Sequence, residues 1–101
     1  MSLVLTHNRN DGVRIITPVD SIDVIVRSIK SRRDTNGREI KQACIEVSDS
    51  RLTRFVNLTH LDPPYYIRED FSIFISNRSR SRDQVPICYQ GPRDKYDINR
   101  I

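Results

Sequence analysis

Apolar and polar positions alternate with period two along most of this chain, and that alternation predicts strands. Leu3-Val4-Leu5-Thr6 is apolar and partly β-branched, which places a strand at the very start. The segment from Asn8 ends in the turn dipeptide Asp11-Gly12, and Val13-Arg14-Ile15-Ile16-Thr17 follows as a second strand. The two read as an opening hairpin. After Pro18, the run Asp20 to Lys30 places Ile22, Val24 and Val26 on one face and Asp23, Ile25, Arg27 and Ile29 on the other. Both faces carry apolar residues, so part of this strand is expected to be covered on both sides. A polar stretch ends in Asn36-Gly37, and Arg38 to Val47 returns with Ala43, Ile45 and Val47 alternating with Gln42, Cys44 and Glu46. Ile22 to Val47 therefore predicts a long antiparallel hairpin with Arg32, Arg33 and Arg38 near its tip. Ser48-Asp49-Ser50 is a turn, and Arg54 to Leu58 is a fifth strand.

Asp62-Pro63-Pro64 breaks any regular element, because proline lacks a donor and restrains its predecessor. Tyr65 to Ile75 fits two patterns. Ile67, Phe71, Phe74 and Ile75 have helical spacing, while Phe71, Ile73 and Ile75 alternate as a strand would. Acidic Glu69 and Asp70 early and Arg78 late suit a helix dipole and favour a short helix. From Asn77 the chain becomes polar, with the Arg/Ser run Arg78, Arg80 and Arg82, then Pro86, Gly91 and Pro92. The expected organisation is a strand-rich core over residues 1–76 and a basic tail over 77–101, pinned at Val85, Ile87 and Tyr89. The fold class is mainly β: a small antiparallel five-stranded sheet or sandwich with a short C-terminal helix.

Composition narrows this picture. A chain of 101 residues suits one domain, and chains of this size bury roughly two thirds of their unfolded surface. Hydrophobic residues make up 37% and charged residues 30%, a lean balance that calls for a disordered end or a core completed in an oligomer. Net charge is +4, carried by fourteen arginines and only three lysines. The planar guanidinium fork matches phosphates and base edges as an ammonium does not, so the bias leans toward nucleic acid or another polyanion. Cys44 sits in the apolar run Ala43-Cys44-Ile45 and Cys88 far along the chain, so both are expected as reduced thiols, with a Cys44–Cys88 disulfide as the alternative. No signal peptide and no membrane-spanning stretch is visible, and a cytoplasmic protein is expected.

The enzyme constellations are absent from the sequence. His7 and His60 have no local partner spacing, neither HxxxH nor CxxC occurs, and three glycines build no phosphate loop. A protein working without metal or cofactor, and not an enzyme, is expected. The least strained catalytic alternative is a ribonuclease using His7 or His60 with arginines. The basic positions are richer: Arg9 and Arg14 flank the first turn, Arg27, Lys30, Arg32, Arg33 and Arg38 crowd the long hairpin, and Arg51 and Arg54 flank the fifth strand. Tyr65 and Tyr66 stand just before Arg68, with Phe71 and Phe74 after it. Such rings stack on splayed bases while arginine reads their edges.

The opening Leu3-Val4-Leu5-Thr6, the acidic-Gly turn and Val13-Arg14-Ile15 resemble the start of the carbon storage regulator family. The order that follows is similar: a long strand with alternating apolar residues (Ile22 to Ile29), a turn, the strand Ala43-Cys44-Ile45-Glu46-Val47, and Arg68-Glu69-Asp70-Phe71 where that family opens a helix. The resemblance covers residues 3–76 in patches. It implies an intertwined β-sandwich homodimer in which the first strand of one subunit lies beside the last strand of the other. It further implies that each composite edge binds a GGA-bearing loop of messenger RNA and represses translation. By position, the RNA-binding residues would be Val4, Thr6, His7 and Asn8 of the first strand, with Arg9 beside them, and Arg68 at the helix start with Tyr66 and Ile67 before it. The chain departs from the pattern in carrying His7-Asn8 where the family has two basic residues, in the order Asp11-Gly12, and in a longer segment between Val47 and Arg68. Arg32, Arg33, Arg38, Arg78, Arg80 and Arg82 would add sequence-blind affinity. The competing expectation is a protein-interaction or viral accessory or structural module, whose basic strand edges meet an acidic partner or accept an added strand.

Overall fold

The computed structural model describes residues 1–76 and 83–101. In chain order the strands are β1 (Ser2–Asn8), β2 (Gly12–Ile16), β3 (Ser21–Arg33), β4 (Glu39–Ser48), β5 (Thr53–Thr59), β6 (Tyr65–Arg68), β7 (Phe71–Ile75), β8 (Gln84–Gln90) and β9 (Asp97–Arg100). All pairings are antiparallel. One sheet has the order β1-β8-β7-β6 and the other β5-β4-β3-β2-β9. The expected mainly-β class is what the chain adopts, as two sheets facing one another over a shared core. The β3–β4 hairpin forms in the expected place, with Val24 opposite Val47 and Arg33 opposite Glu39. Gly37 closes its tip at φ 77, a left-handed conformation that glycine adopts without steric cost. A bulge between Val26 and Ser28 leaves Arg27 outside the ladder.

The core is the meeting of two alternating stripes. Val13, Ile15, Ile22, Val24, Val26, Ala43, Ile45 and Val47 face inward from the five-stranded sheet, and Phe71, Ile73, Ile75, Val85, Ile87 and Tyr89 from the other. Full burial of a side chain of this kind stabilises by roughly 1.5–3 kcal/mol, which fixes which face of each strand points in.

Three expectations are corrected. The short helix does not form: residues 65–75 are the β6–β7 hairpin, turning at Glu69 and Asp70. The strand alternation wins because Phe71, Ile73 and Ile75 all reach the core while Phe74 faces the other way, and β8 supplies the ladder partner. The Asp70 carboxylate, read as a helix-start charge, accepts hydrogen bonds from Tyr96 Oη and from Lys95 Nζ at 3.0 Å.

The opening pair is not a hairpin. β1 and β2 belong to different sheets, and the chain crosses between them through a turn held by Asn10, at φ 68, whose amide donates to Val26 O. β1 lies beside β8 of its own chain rather than beside a partner's strand.

Residues past 83 are not a tail. β8 is an interior strand between β1 and β7, and β9 adds an edge to the other sheet. The pinning residues Val85, Ile87 and Tyr89 are fully buried. Pro86 concealed the strand, since an interior strand rarely carries proline. Here it is tolerated because its carbonyl accepts from Ser76, just past the end of β7, so only one bond of the ladder is missing. Cys44 and Cys88 are free thiols in different sheets, as expected.

Candidate nucleic-acid interface

The expected first-strand residues alternate across β1. Val4, Thr6 and Asn8 are exposed on the side facing away from the core, whereas His7 points inward and is fully buried. Its Nε2 pairs with Tyr89 Oη at 2.8 Å, and the two rings meet edge-on. Nδ1 is buried with no hydrogen-bond partner. Burial disfavours the imidazolium and lowers the pKa from 6.5 to about 4, with the charge of Arg100 acting the same way and Asp11 opposing it. His7 is therefore a neutral core residue near pH 7 and presents nothing to a phosphate. Asn8 is also engaged: its amide donates to Asp11 Oδ2 at 2.8 Å and its carbonyl accepts from the Asp11 amide at 3.1 Å. Arg9 follows in the turn, exposed.

The second half of the expected site lies across the sheet. β1 forms one edge of the four-stranded sheet and β6 the other, with β8 and β7 between them. One chain thus does not bring Val4 and Thr6 together with Arg68. Ile67 is buried in the core, and Tyr66 is exposed on the outward face. Arg68 Nη2 contacts Asp20 Oδ2 at 2.8 Å and Asp49 Oδ2 at 3.3 Å. Asp49 is held below the usual carboxylate range by the Arg51 and Leu52 amides first and by Arg68 after them. The cation assigned to RNA is enclosed by two carboxylates, so the local field it offers an anion is negative rather than positive.

The other cations fall mainly into two groups, with Arg9, Arg51 and Arg93 exposed and scattered outside both. In the body, Arg14 pairs with Asp23 at 2.8 Å directly across β2–β3, Arg27 pairs with Glu46 at 2.9 Å, Lys95 pairs with Asp70, and the Arg54 guanidinium stands 5.8 Å from the Tyr65 ring centre. On the outer half of the β3–β4 hairpin, Lys30, Arg32, Arg33 and Arg38 are all exposed. Among the described residues none of the four has a salt bridge. The one acidic side chain at the very tip, Asp34, accepts from the Asn36 and Arg38 amides and shapes the turn. Strand alternation places Lys30, Arg32 and Arg38 on one side of the hairpin, with Arg33 on the other. Neighbours two apart on that side are about 7 Å from each other, a spacing at which their fields add over a backbone laid along the strand. Arg78, Arg80 and Arg82 lie outside the described residues.

The distinction between engaged and open arginines was missed by reading the sequence because it is set by register. Arg14 and Asp23 face each other only once β2 and β3 are paired, and Arg68 meets Asp20 only once the sheets are stacked. For the ribonuclease alternative, His7 has no solvent access, and His60 lines a cleft of about 120 Å³ with Glu39 and Lys41. Among the described residues no cluster of three metal-ligating side chains occurs, and no helix is long and apolar enough to cross a membrane. Comparison with known proteins found no matching family model, no matching curated protein and no matching solved structure.

Proposed function

We propose that this chain is a cytoplasmic, non-enzymatic RNA-binding regulator of translation, working as a homodimer without metal or cofactor, and that it grips RNA through the outer half of the β3–β4 hairpin. The observation that carries the reading is the segregation of cations. Most cations of the body are engaged with a carboxylate, a ring or a carbonyl, with Arg9, Arg51 and Arg93 as scattered exceptions, while Lys30, Arg32, Arg33 and Arg38 stand together on an exposed ladder with no salt bridge among the described residues. Four clustered cations, outnumbering the neighbouring Asp34 and Glu39, release counterions from a phosphate backbone and give salt-dependent affinity. The translational role rests on the resemblance to carbon storage regulators, and the departures above move the contact surface from His7 and Arg68 to the hairpin. Val4, Thr6, Arg9 and the exposed ring of Tyr66 remain accessible for bases.

The test is fluorescence anisotropy with a GGA-loop RNA hairpin and a scrambled hairpin, each titrated at two salt concentrations. Preference for GGA supports the regulator. Equal binding that vanishes at higher salt reduces the hairpin to a generic polyanion surface, and no binding at either salt removes RNA as the ligand. In that last case the protein-interaction reading takes over, and it too has a specific structural support: the open edge of β1.

A further inference from the structure

The two edges of the four-stranded sheet are finished differently. β6 is short, bulged between Tyr66 and Arg68, and ends in a charged residue, all features that discourage strand addition. β1 has none of them: over Ser2–Thr6 it is straight, without proline, bulge or charged side chain. Its hydrogen-bonding groups also point to the open side, where the Thr6 carbonyl accepts from Arg100. Pro86 has no N–H and gives its carbonyl to Ser76, so the Thr6–Pro86 pair exchanges no ladder bonds. Thr6 therefore turns its own N–H and C=O to the open edge, and by the two-residue period Val4 and Ser2 do the same. The position of Arg100 agrees, since its terminal nitrogens reach the Thr6 carbonyl from outside at 3.3 and 3.4 Å. Beyond Thr6 the edge is closed, because Asn8 is engaged with Asp11.

We propose that this edge pairs with β1 of a second copy, antiparallel about a twofold axis at Val4, joining two four-stranded sheets into one of eight. The open window, Ser2–Thr6, is symmetric about Val4. In that register Val4 bonds Val4 of the second copy in both directions, and Thr6 N–H meets the carbonyl of Ser2. The charge pattern selects a second copy as occupant. Each chain carries +4, yet the strand residues facing outward from this sheet, among them Val4, Thr6, Cys88, Phe74 and Tyr66, include no charged side chain. Two basic chains meet here once Arg100, whose guanidinium donates to the Thr6 carbonyl, swings off the edge to leave that carbonyl to Ser2 of the second copy. The seam also covers Leu3 and Met1, which line a cleft of about 400 Å³ beside β9 at the open side of the sandwich. This deepens the dimeric part of the proposed function and is independent of its RNA part; it also differs from the intertwined arrangement, because every strand keeps its own partners.

Sedimentation velocity of the full chain without RNA, over a range of concentrations, is the test. The expected species is twice 11.8 kDa. Val4→Lys sets two like charges face to face at the axis and weakens the dimer by roughly tenfold or more, while the monomer keeps its fold because Val4 is 53% exposed. Tyr66→Lys, at a position 62% exposed at the far edge, leaves the dimer intact. Hydrogen exchange at the Val4 and Thr6 amides slows with concentration in the wild type and not in Val4→Lys. A dimer that survives Val4→Lys, or dissociates in Tyr66→Lys alone, overturns the β1 seam while sparing dimerisation. A monomer at all concentrations overturns both the seam and the dimeric reading, and neither result bears on RNA affinity measured with the hairpin variants.

Discussion

Two regions carry the residues expected to bind, and they differ in whether the fold has already engaged them. In the β1–Arg68 region His7 is bonded to Tyr89, the Asn8 backbone to Asp11, and Arg68 to Asp20 and Asp49. In the outer half of the β3–β4 hairpin the cations have no salt bridge among the described residues; Asp34 serves the turn, and Glu39 stands opposite Arg33 without an ion pair. The lesson is that residue type does not fix availability. An arginine opposite an aspartate at short range offers an anion almost nothing, while the same residue on an extended ladder offers its full charge. Function read from arginine counts alone weights both equally.

The largest expected effect tests the engaged side. His7 has a folded pKa of about 4 against 6.5 when exposed, so between those values the unfolded chain binds more protons. Stability is complete above pH 6.5, falls as pH drops toward 4, and levels off below it. The loss from this group is roughly 3 kcal/mol. Chemical denaturation across that range is expected to show the decline, and His7→Leu to flatten it. An unchanged slope in that variant would mean that His7 is not the protonating group.

Next in size is the open side. Replacing Arg32, Arg33 and Arg38 together by alanine is expected to lower RNA affinity by about tenfold to a hundredfold at low salt. The log–log salt dependence becomes shallower by roughly 2, at about 0.7 for each single-strand phosphate that is no longer neutralised. The melting temperature should move little, because all three side chains are exposed and none makes a salt bridge among the described residues. An unaltered salt slope would place the phosphate contacts elsewhere.

How much of this was legible in the sequence depended on range. The β3–β4 hairpin was readable because Ile22, Val24, Val26, Ala43, Ile45 and Val47 alternate cleanly and Asn36-Gly37 marks the turn. Residues 65–75 were misread because Phe71, Phe74 and Ile75 satisfy both periods, and only the ladder with β8 decides between them. β8 itself was hidden by Pro86 and by its sparse surroundings, although Val85, Ile87 and Tyr89 already showed the alternation. For the site, exposure of the hairpin cations follows from local pattern. The engagement of Arg68 by Asp20, 48 residues earlier in the chain, depends on how two sheets stack, and nothing local encodes it.

Smaller effects separate the two regions more finely. Arg68→Ala is expected to leave RNA affinity within about twofold and to lower stability by at most about 1 kcal/mol, since the pair is part-exposed and solvent-screened. A loss of affinity as large as that of the triple variant would return Arg68 to the binding surface.

The smallest effect runs in the opposite direction. Asp20→Asn with Asp49→Asn removes both carboxylates from Arg68 while keeping an acceptor oxygen at position 49, where Oδ1 takes the Arg51 and Leu52 amides at 2.9 Å. If engagement is what silences Arg68, the double variant gains RNA affinity by about twofold at low salt. Part of any gain comes simply from the more positive net charge, so the informative quantity is the coupling. The same pair of substitutions made in the Arg68→Ala chain should give a smaller gain. Equal gains in both backgrounds would show that Arg68 contributes nothing even when released, and availability would then depend on position along the hairpin rather than on the absence of a carboxylate.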